Sequence, residues 1–323
     1  MLRRRTLLLA MAATPFAPGL RAMAQGDSIA IGSKNFTEQL ILGEMYAQLL
    51  EDGGLTVDRK LNLGGTDVAQ QALVAGEIDM YPEYTGTGLV AILKLPVPTA
   101  STTASPVAGS PVASPVASPV AAASVDQQVY DTVKAEYASQ FGLVWLDQSS
   151  FNNTQALAMK REDAERLGIV TISDMAAQAS SLTLAAVPDF EQREDGLVGL
   201  NRVYGDFSFQ EVQVFDPGIK YQSFLDGDAQ VVLAFSTDGQ ISGYDLVLLE
   251  DDLSLWPPYH VAPVVRQETL DANPQIADIL NPLATLLTNE VMAQLNWQVD
   301  GPDKTEPADV ATAFLQANGL LAA

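Results

Sequence analysis

Residues 29–81 read IAIGSKNFTEQLILGEMYAQLLEDGGLTVDRKLNLGGTDVAQQALVAGEIDMY, and this stretch indicates the fold class. Short apolar or alternating runs, typical of strands, take turns with segments whose apolar residues recur at helical spacing. The pattern predicts strands at 29–32, 55–63 and 77–81 and helices at 36–51 and 66–76. Strand and helix in strict alternation predict an α/β fold with a mainly parallel sheet flanked by helices.

A second block of the same kind follows. It comprises strands at 142–146, 182–187, 209–214 and 230–235 and helices at 129–141, 195–204 and 218–225. The remainder has a strand at 246–250 and helices near 275–295 and 307–318, too little for a sheet of its own. We therefore expect it to return to the first block. At 323 residues the chain is long enough for two such domains.

Two segments stand apart from this pattern. Residues 1–24 begin with three consecutive arginines at 3–5, continue with a short apolar run and end with Ala22-Met23-Ala24, which together predict a cleaved secretory signal peptide. A retained anchor and a twin-arginine signal are the alternatives. Residues 99–125 contain four copies of Ser-Pro-Val-Ala and no charged or aromatic residue. This composition predicts a disordered insertion, either a spacer or a tolerated surface loop.

Charge and composition exclude several classes of function. Removing the four leader arginines leaves 13 basic residues against 40 acidic ones, a net charge of −27 that disfavours nucleic acid and anionic membranes as partners. The absence of cysteine excludes disulfides, thiolate metal sites and a lipidated cysteine. The single histidine, His260, excludes a multi-histidine metal site and is assigned a structural role. We expect no metal, no cofactor and no catalytic residue.

The main alternative is a secreted enzyme. Residues 86–91 read GTGLVA and match the dinucleotide phosphate turn, but the acidic residue expected about 20 positions later is missing, the first being Asp126. Acid pairs such as Glu77/Asp79 and Glu194/Asp195 also permit a carboxylate-dependent hydrolase. With 40 acids in the chain, however, such pairs are expected by chance.

Several cations and tyrosines follow predicted strands, where open α/β sheets bind their ligands. Each also has an ordinary alternative, because tyrosines pack in many cores and a lone lysine or arginine is usually solvated. From the residues alone, a shared binding site and dispersed structural roles both remain open. The candidates are Lys34, Tyr84, Thr87, Arg193, Tyr221 and Tyr244.

Six runs together carry a resemblance to a known family. They are IGSKNFTEQ (31–39), LNLGGT (61–66), EIDMYPEYTGT (77–87), FNNT (151–154), REDGL (193–197) and AFSTDG (234–239). By these runs the chain resembles, from about residue 29 to the C-terminus, the substrate-binding proteins of osmoprotectant ABC importers, which are receptors for glycine betaine, choline and carnitine. Only the 99–125 insertion interrupts the resemblance.

The resemblance implies the two-lobed venus-flytrap fold of periplasmic binding proteins. Lobe I is expected at 28–147 plus 240–323 and lobe II at 148–239, with crossover strands near 146–152 and 231–238 as the hinge. The implied partners are a small compatible solute and the permease and ATPase subunits of an importer on separate chains. We expect an exported monomer at the periplasmic or outer face of the membrane, not a lipoprotein held at a cysteine.

The resemblance also implies a division of the site. An aromatic cage of Tyr84, Tyr221 and Tyr244 would hold a trimethylammonium group through π faces. Lys34, Thr87 and Arg193 would hold a carboxylate, with Asn153, Gln155 and Thr237 as further polar contacts.

One position departs from the family pattern. After residues 151–154 the family commonly places a tyrosine, and this chain has Gln155. Either Phe151 or Tyr81 completes the cage, or the ligand carries an N–H that the glutamine accepts. An amino-acid-like ligand without a quaternary nitrogen is the corresponding alternative.

Overall fold

The computed structural model describes residues 28–98 and 124–322. The predicted signal peptide and nearly all of the predicted insertion lie outside the described residues. The insertion was predicted to end at residue 125, but Ser124 already accepts a hydrogen bond from the backbone N–H of Gln127 as the N-cap of a helix. Within the described ranges no helix is both long and apolar enough to cross a bilayer.

Lobe I is built from the first and last parts of the chain. Its first part contains β1 (Ile29–Gly32), α1 (Thr37–Asp52), β2 (Val57–Lys60), α2 (Thr66–Ala75), β3 (Met80–Tyr84), α3 (Thr85–Thr87), a π-helical turn (Gly88–Ile92), α4 (Val125–Phe141) and β4 (Leu143–Trp145). The helix and strand starts predicted from residues 29–81 lie within three residues of these. The shift of the third strand to Met80–Tyr84 brings Tyr84 to the end of that strand.

Lobe II is the middle of the chain. It contains β5 (Gln155–Lys160), α5 (Arg161–Leu167), α6 (Ile172–Gln178), β6 (Thr183–Ala186), α7 (Leu197–Tyr204), β7 (Glu211–Val214), α8 (Lys220–Asp226), β8 (Val231–Phe235), α9 (Gln240–Gly243) and β9 (Leu246–Leu248). The chain then returns to lobe I as β10 (Val261–Arg266), α10 (Gln267–Ala272), α11 (Gln275–Ala284), α12 (Asn289–Asp300) and α13 (Pro307–Ala317).

The two sheets share one topology. Their strand orders are β2-β1-β3-β10-β4 and β7-β6-β8-β5-β9. In each sheet four strands run in one direction, and the fourth position holds a reversed strand that is antiparallel to both neighbours. The reversed strands, β10 and β5, are the ones that follow each passage between lobes. The sheets are therefore mainly parallel, as predicted, with one reversed strand each that the sequence analysis does not assign.

The second passage between lobes lies later than predicted. β9 pairs with β5 in the second sheet, so lobe II extends beyond residue 239 and the chain returns to lobe I over residues 249–260. The predicted boundary at 239/240 and the predicted crossover at 231–238 are thereby corrected, because β8 is an internal strand of lobe II. The first passage covers residues 146–154, between β4 and β5, and the hinge role of 146–152 stays a prediction.

Apolar side chains cover both faces of each sheet. In β3, Met80 and Tyr84 belong to the core cluster under α1, while Tyr81 belongs to the cluster under α4. Burial on both faces is the usual state of sheets whose strands are joined through helices. The strand ends are thus fixed by packing, and the loops that follow them are held in place from below.

The lobes also touch away from the two chain passages. We call this the α9–α12 contact, because α9 of lobe II packs there against α12 of lobe I. A Cβ placed on Gly243 would lie 2.2 Å from Cη2 of the Trp297 ring. The same ring meets Tyr244 edge-on, with 5.4 Å between ring centroids, and lies against Gly301. The indole therefore has little room to move away.

Gly243→Ala is expected to lower the free energy of unfolding by about 1–3 kcal/mol, because the added methyl overpacks a closed contact. Urea unfolding of the purified protein measures this. Gly218→Ala is the matched control, since no atom lies within 4 Å of its would-be Cβ. Equal stability of Gly243→Ala and the wild type would show that the α9–α12 contact is loose.

Candidate functional site

A cavity of about 190 Å³ lies between the two lobes. Lobe I contributes side chains that follow β1, β2 and β3, and lobe II contributes side chains that follow β6, β7 and β8. The first reversed strand and its approach add Asn153 and Gln155, and the approach to the second adds Tyr259. The cavity is smaller than the roughly 300–1,000 Å³ of pockets for drug-sized ligands, so its size suits a small solute.

Six of the nine predicted site residues line this cavity. They are Lys34, Tyr84, Thr87, Asn153, Gln155 and Arg193. Lys34, Tyr84 and Thr87 lie at or beyond the ends of β1 and β3, whereas Asn153 and Gln155 lie at or just before the start of β5. Arg193 lies in the segment between β6 and α7. The structure thus brings both predicted cations and one predicted tyrosine to a single site.

Tyr221, Tyr244 and Thr237 lie outside the lining. The Tyr221 hydroxyl donates to Asp238 Oδ2 at 2.6 Å, and its ring faces the buried Lys220 ammonium, 4.9 Å from the ring centroid. Tyr244 is 41% exposed beside Trp297, and Thr237 is buried, where its hydroxyl donates to Glu38 Oε2. The predicted cage of three tyrosines is therefore reduced at the cavity to Tyr84.

Four aromatic side chains besides Tyr84 line the cavity, and none of them is among the predicted site residues. They are Phe36, Phe190, Phe235 and Tyr259. Together with Tyr84 they form what we call the aromatic wall. The Phe36 ring stacks on Tyr84 of lobe I at 6.3 Å and on Phe235 of lobe II at 6.2 Å between centroids. Phe235 ends β8 and Phe36 lies in the loop after β1, both within the quoted motif runs, so the rule that selected Tyr84 applies to them equally.

Neither proposed substitute for the missing tyrosine reaches the cavity. Phe151 is fully buried in the lobe I core, and the Tyr81 hydroxyl donates to Gln70 and Glu83 on the side of the sheet facing α4. Phe151 and Tyr81 therefore supply no ring to the cavity, whereas Phe36, Phe190 and Phe235 line it.

Lys34 is held in a buried ion pair at the lobe I wall. Its Nζ lies 2.6 Å from Glu83 Oε1 and 5.3 Å from the centroid of the Tyr84 ring. Glu83 also accepts from the Tyr84 backbone N–H and from the Tyr81 hydroxyl. Burial lowers the pKa of Lys34, against the opposing charge and hydrogen bond of Glu83.

Arg193 forms the matching pair at the lobe II wall. Its Nε and Nη2 donate to the two oxygens of Asp195 at 2.7 and 2.6 Å, a bidentate arrangement. The Tyr259 hydroxyl also donates to Asp195, and the Gln155 amide donates to the Asp195 carbonyl and to the Tyr259 hydroxyl. Burial alone would raise the pKa of Asp195, but Arg193 and these bonds outweigh it and hold the pKa below its usual value.

The lobes meet at the rim of the cavity. Arg193 Nη1 lies 3.5 Å from the Thr66 hydroxyl of lobe I, and a Cβ on Gly65 would lie 2.5 Å from Asp189 of lobe II. Asp189 and Asp216 add two carboxylates to the lining. A ligand here would touch both lobes and would meet both aromatic rings and charged groups.

The glycines of the suspected dinucleotide turn have a packing role. A Cβ on Gly86 would lie 2.7 Å from the Tyr259 ring, and one on Gly88 would lie 2.9 Å from the Trp145 ring. Close packing therefore accounts for both glycines. In residues 28–98 and 124–322 no group of three or more acidic or histidine side chains is placed to hold a metal ion.

Comparison with known families gives one matching model. The model describes the substrate binding domain of ABC-type glycine betaine transport systems, and it matches residues 27–317. The match covers both lobes.

Individual proteins are similar over the same length. The glycine-betaine-binding protein of Pseudomonas aeruginosa is 35% identical over 327 residues, which cover 98% of this chain and 95% of that protein. The ergothioneine transport permease/ergothioneine binding protein EgtU of Helicobacter pylori is 33% identical over 90% of this chain, which spans only 48% of that protein. The crystal structure of a glycine betaine/carnitine/choline ABC transporter is 27% identical, with a TM-score of 0.65 over 91% of this chain and 99% of that chain.

Proposed function

The chain belongs to the family of substrate-binding domains of ABC-type glycine betaine transport systems, and from this membership we propose that it captures a quaternary ammonium solute between its lobes. Members of the family bind a solute for an importer, so the chain is a solute receptor and not an enzyme. Glycine betaine, choline and carnitine, which appear in the names of its relatives, are the first candidates.

The observation that carries the proposal is the aromatic wall at the cavity between lobes. A quaternary ammonium has no N–H to donate, so it is held best against π faces, each contributing about 0.5–2 kcal/mol. Phe36 and Tyr84 from lobe I and Phe235 from lobe II provide such faces. Tyr84 and Phe235 are the last residues of β3 and β8, and Phe36 lies in the loop after β1.

A carboxylate on the same solute would meet the cations. Lys34 has one of its three N–H donors on Glu83, and Arg193 directs Nη1 towards the lobe I rim, so both retain donors for a ligand. Thr87 supports this end from lobe I. A zwitterion such as glycine betaine therefore uses rings and cations together.

Gln155 supports a second candidate within the same class. Its amide nitrogen is committed to Asp195 and Tyr259, and in the described part of the chain no donor is paired with its carbonyl oxygen. A ligand N–H at the cavity wall would satisfy that oxygen. Ergothioneine, named for the Helicobacter relative, combines a trimethylammonium group with ring N–H donors. An amino-acid-like solute offers the N–H without the quaternary nitrogen.

The proposal extends to transport. Because the ligand touches both lobes, binding selects the closed arrangement, which the receptor would present to a permease with its ATPase on separate chains. This places the receptor outside the cytoplasmic membrane, and a single copy holds the whole cavity lining described above.

Glycine betaine, choline, carnitine, proline betaine, ectoine and ergothioneine are the solutes to titrate by calorimetry and thermal unfolding. At least one quaternary ammonium solute is expected to raise the melting temperature, since ligand at 100 times its Kd stabilises by about 2.7 kcal/mol. Tyr84→Ala is expected to abolish the shift, and Tyr244→Ala to preserve it. If no solute shifts the wild type, the proposed function is wrong.

A further inference from the structure

The strongest feature outside the cavity is a buried carboxylate that joins the cavity wall to the second lobe. Glu38 lies in the first turn of α1, is 2% exposed and is not part of the lining. Its two oxygens accept four side-chain hydrogen bonds. The donors are Tyr84 at 2.7 Å, Asn153 at 2.8 Å, Thr237 at 2.6 Å and Asn296 at 3.0 Å.

Each carboxylate oxygen serves a different region. Oε1 accepts from the Tyr84 hydroxyl and the Asn153 amide, both of which line the cavity. Oε2 accepts from Thr237, just beyond β8 of lobe II, and from Asn296 of α12 in lobe I. Asn296 also donates to the Thr237 carbonyl, so lobe I makes hydrogen bonds to both the side chain and the backbone of this lobe II residue.

We infer that Glu38 is a positioning residue, which holds the Tyr84 ring and the Asn153 amide in the cavity wall in register with lobe II. The inference rests on the proposed function, since it assigns Glu38 to the same binding event. When the lobes move, Thr237 moves relative to α1, and the carboxylate passes that displacement to the two residues that face the ligand.

A carboxylate suits this task and its amide does not. All four partners donate, and an ionised carboxylate offers only acceptors. In Glu38→Gln one oxygen becomes an NH₂ group that faces a hydroxyl and the NH₂ of an asparagine. The hydroxyl can turn to accept, but the two NH₂ groups oppose each other, so at least one of the four bonds is lost in its present form. Glu44, on the same helix, pairs with Arg59 near the surface and faces none of these groups, which makes Glu44→Gln the matched control.

The absence of cysteine permits a measurement that needs no ligand. Cysteines introduced at the exposed Val74 of lobe I and Val198 of lobe II can carry a nitroxide pair without competing thiols. Pulsed electron paramagnetic resonance then reports the distribution of inter-lobe distances. Glu38→Gln is expected to broaden that distribution relative to the wild type and Glu44→Gln, because the link between α1 and Thr237 is lost.

A double-mutant cycle tests the link to the ligand. Tyr84→Phe keeps the ring and removes only the hydroxyl that donates a hydrogen bond to Glu38. We expect Glu38→Gln to weaken solute affinity by about tenfold or more. The double variant should bind the solute with the affinity of Glu38→Gln, to within about twofold, because the two substitutions remove the same hydrogen bond.

The outcomes are distinct. A Glu38→Gln distance distribution equal to that of Glu44→Gln would overturn the inference, as would affinity losses that simply multiply in the double variant. If Glu38→Gln fails to fold, Thr237→Val removes only the lobe II bond and should broaden the distribution in the same way. If the wild type binds none of the solutes, the proposed function fails, while the distance measurement still decides the role of Glu38.

Discussion

Arg193→Ala is expected to abolish solute binding and to lower the free energy of unfolding by about 3 kcal/mol at pH 7. The Asp195 carboxylate is 1% exposed and would lose both guanidinium bonds, keeping only the Tyr259 hydroxyl among its side-chain donors. An unpaired buried charge is among the few single changes with so large a cost. Urea unfolding and calorimetric titration measure the two effects.

The control for this prediction is Arg161→Ala. Arg161 also makes a bidentate pair, with Asp245, but on the open surface, where such pairs contribute little. Its loss should leave both melting and binding unchanged. Adding Asp195→Asn to Arg193→Ala removes the orphaned charge and should recover part of the stability without restoring binding. Wild-type stability in Arg193→Ala would show that Asp195 is solvated.

The pH dependence of this effect has a definite sign. In the wild type the pKa of Asp195 lies below its unfolded value of about 3.9, so the pair stabilises the fold above that pH and loses its contribution as pH falls through the folded pKa. In Arg193→Ala the buried carboxylate can relieve its charge by taking up a proton. The stability gap between the two proteins should therefore narrow as the pH is lowered from 7 towards 4.

The sequence predicted four of the five strands of lobe I and six of the nineteen residues that line the cavity, because local signals carry them. The run of four apolar residues in β1 predicts the position of that strand correctly. The motif residues near strand ends predict that Lys34 and Tyr84 belong to the cavity. The reversed strand β10 is also an apolar run, but it is interrupted by Pro263, and nothing within it indicates its direction or its partner. Its place beside β3 pairs Val261 with Tyr84, which lies more than half the chain length away, and periodicity within a short window does not reveal such a partner.

The misplaced tyrosines have a related cause. Tyr221 lies in the first turn of α8, and only the packed structure shows that its ring faces Lys220 and Asp238 and not the cavity. Tyr259 was missed because it precedes an unassigned strand. Phe235 was within reach of the sequence, since a phenylalanine presents the same π face as a tyrosine at a strand end. A rule that selected tyrosines only was too narrow.

The phenylalanine rings change how the cage is understood. A tyrosine cage can direct hydroxyls to neighbouring groups, as Tyr84 does to Glu38. Phe36 and Phe235 offer only faces and edges, so their hold on a ligand is purely through contact and π electrostatics. Their near-parallel stacking, with 9° between ring planes, also joins lobe I to lobe II directly. We therefore expect the Phe36 ring to contribute both to ligand affinity and to lobe closure.

Phe36→Ala is accordingly expected to weaken solute affinity by about 30-fold or more. The variant loses two stacked pairs, each worth about 0.5–1.5 kcal/mol beyond buried area, and one face of the cage. Phe36 is the N-cap residue of α1 but makes no capping bond through its side chain, so the helix start is unaffected. Calorimetric titration with the solute that binds the wild type most tightly gives the number.

Two further variants separate the π face from simple bulk. Phe36→Leu restores an apolar side chain without a ring and should recover folding stability but not affinity, whereas Phe36→Tyr should retain both. Phe207→Ala removes a ring that packs edge-on against Phe209 in lobe II, away from the cavity, and should lower stability while preserving affinity. Wild-type affinity in Phe36→Leu would mean that the aromatic face of Phe36 does not contribute to holding the solute, since leucine supplies apolar contact but no ring to the place where the two lobes meet.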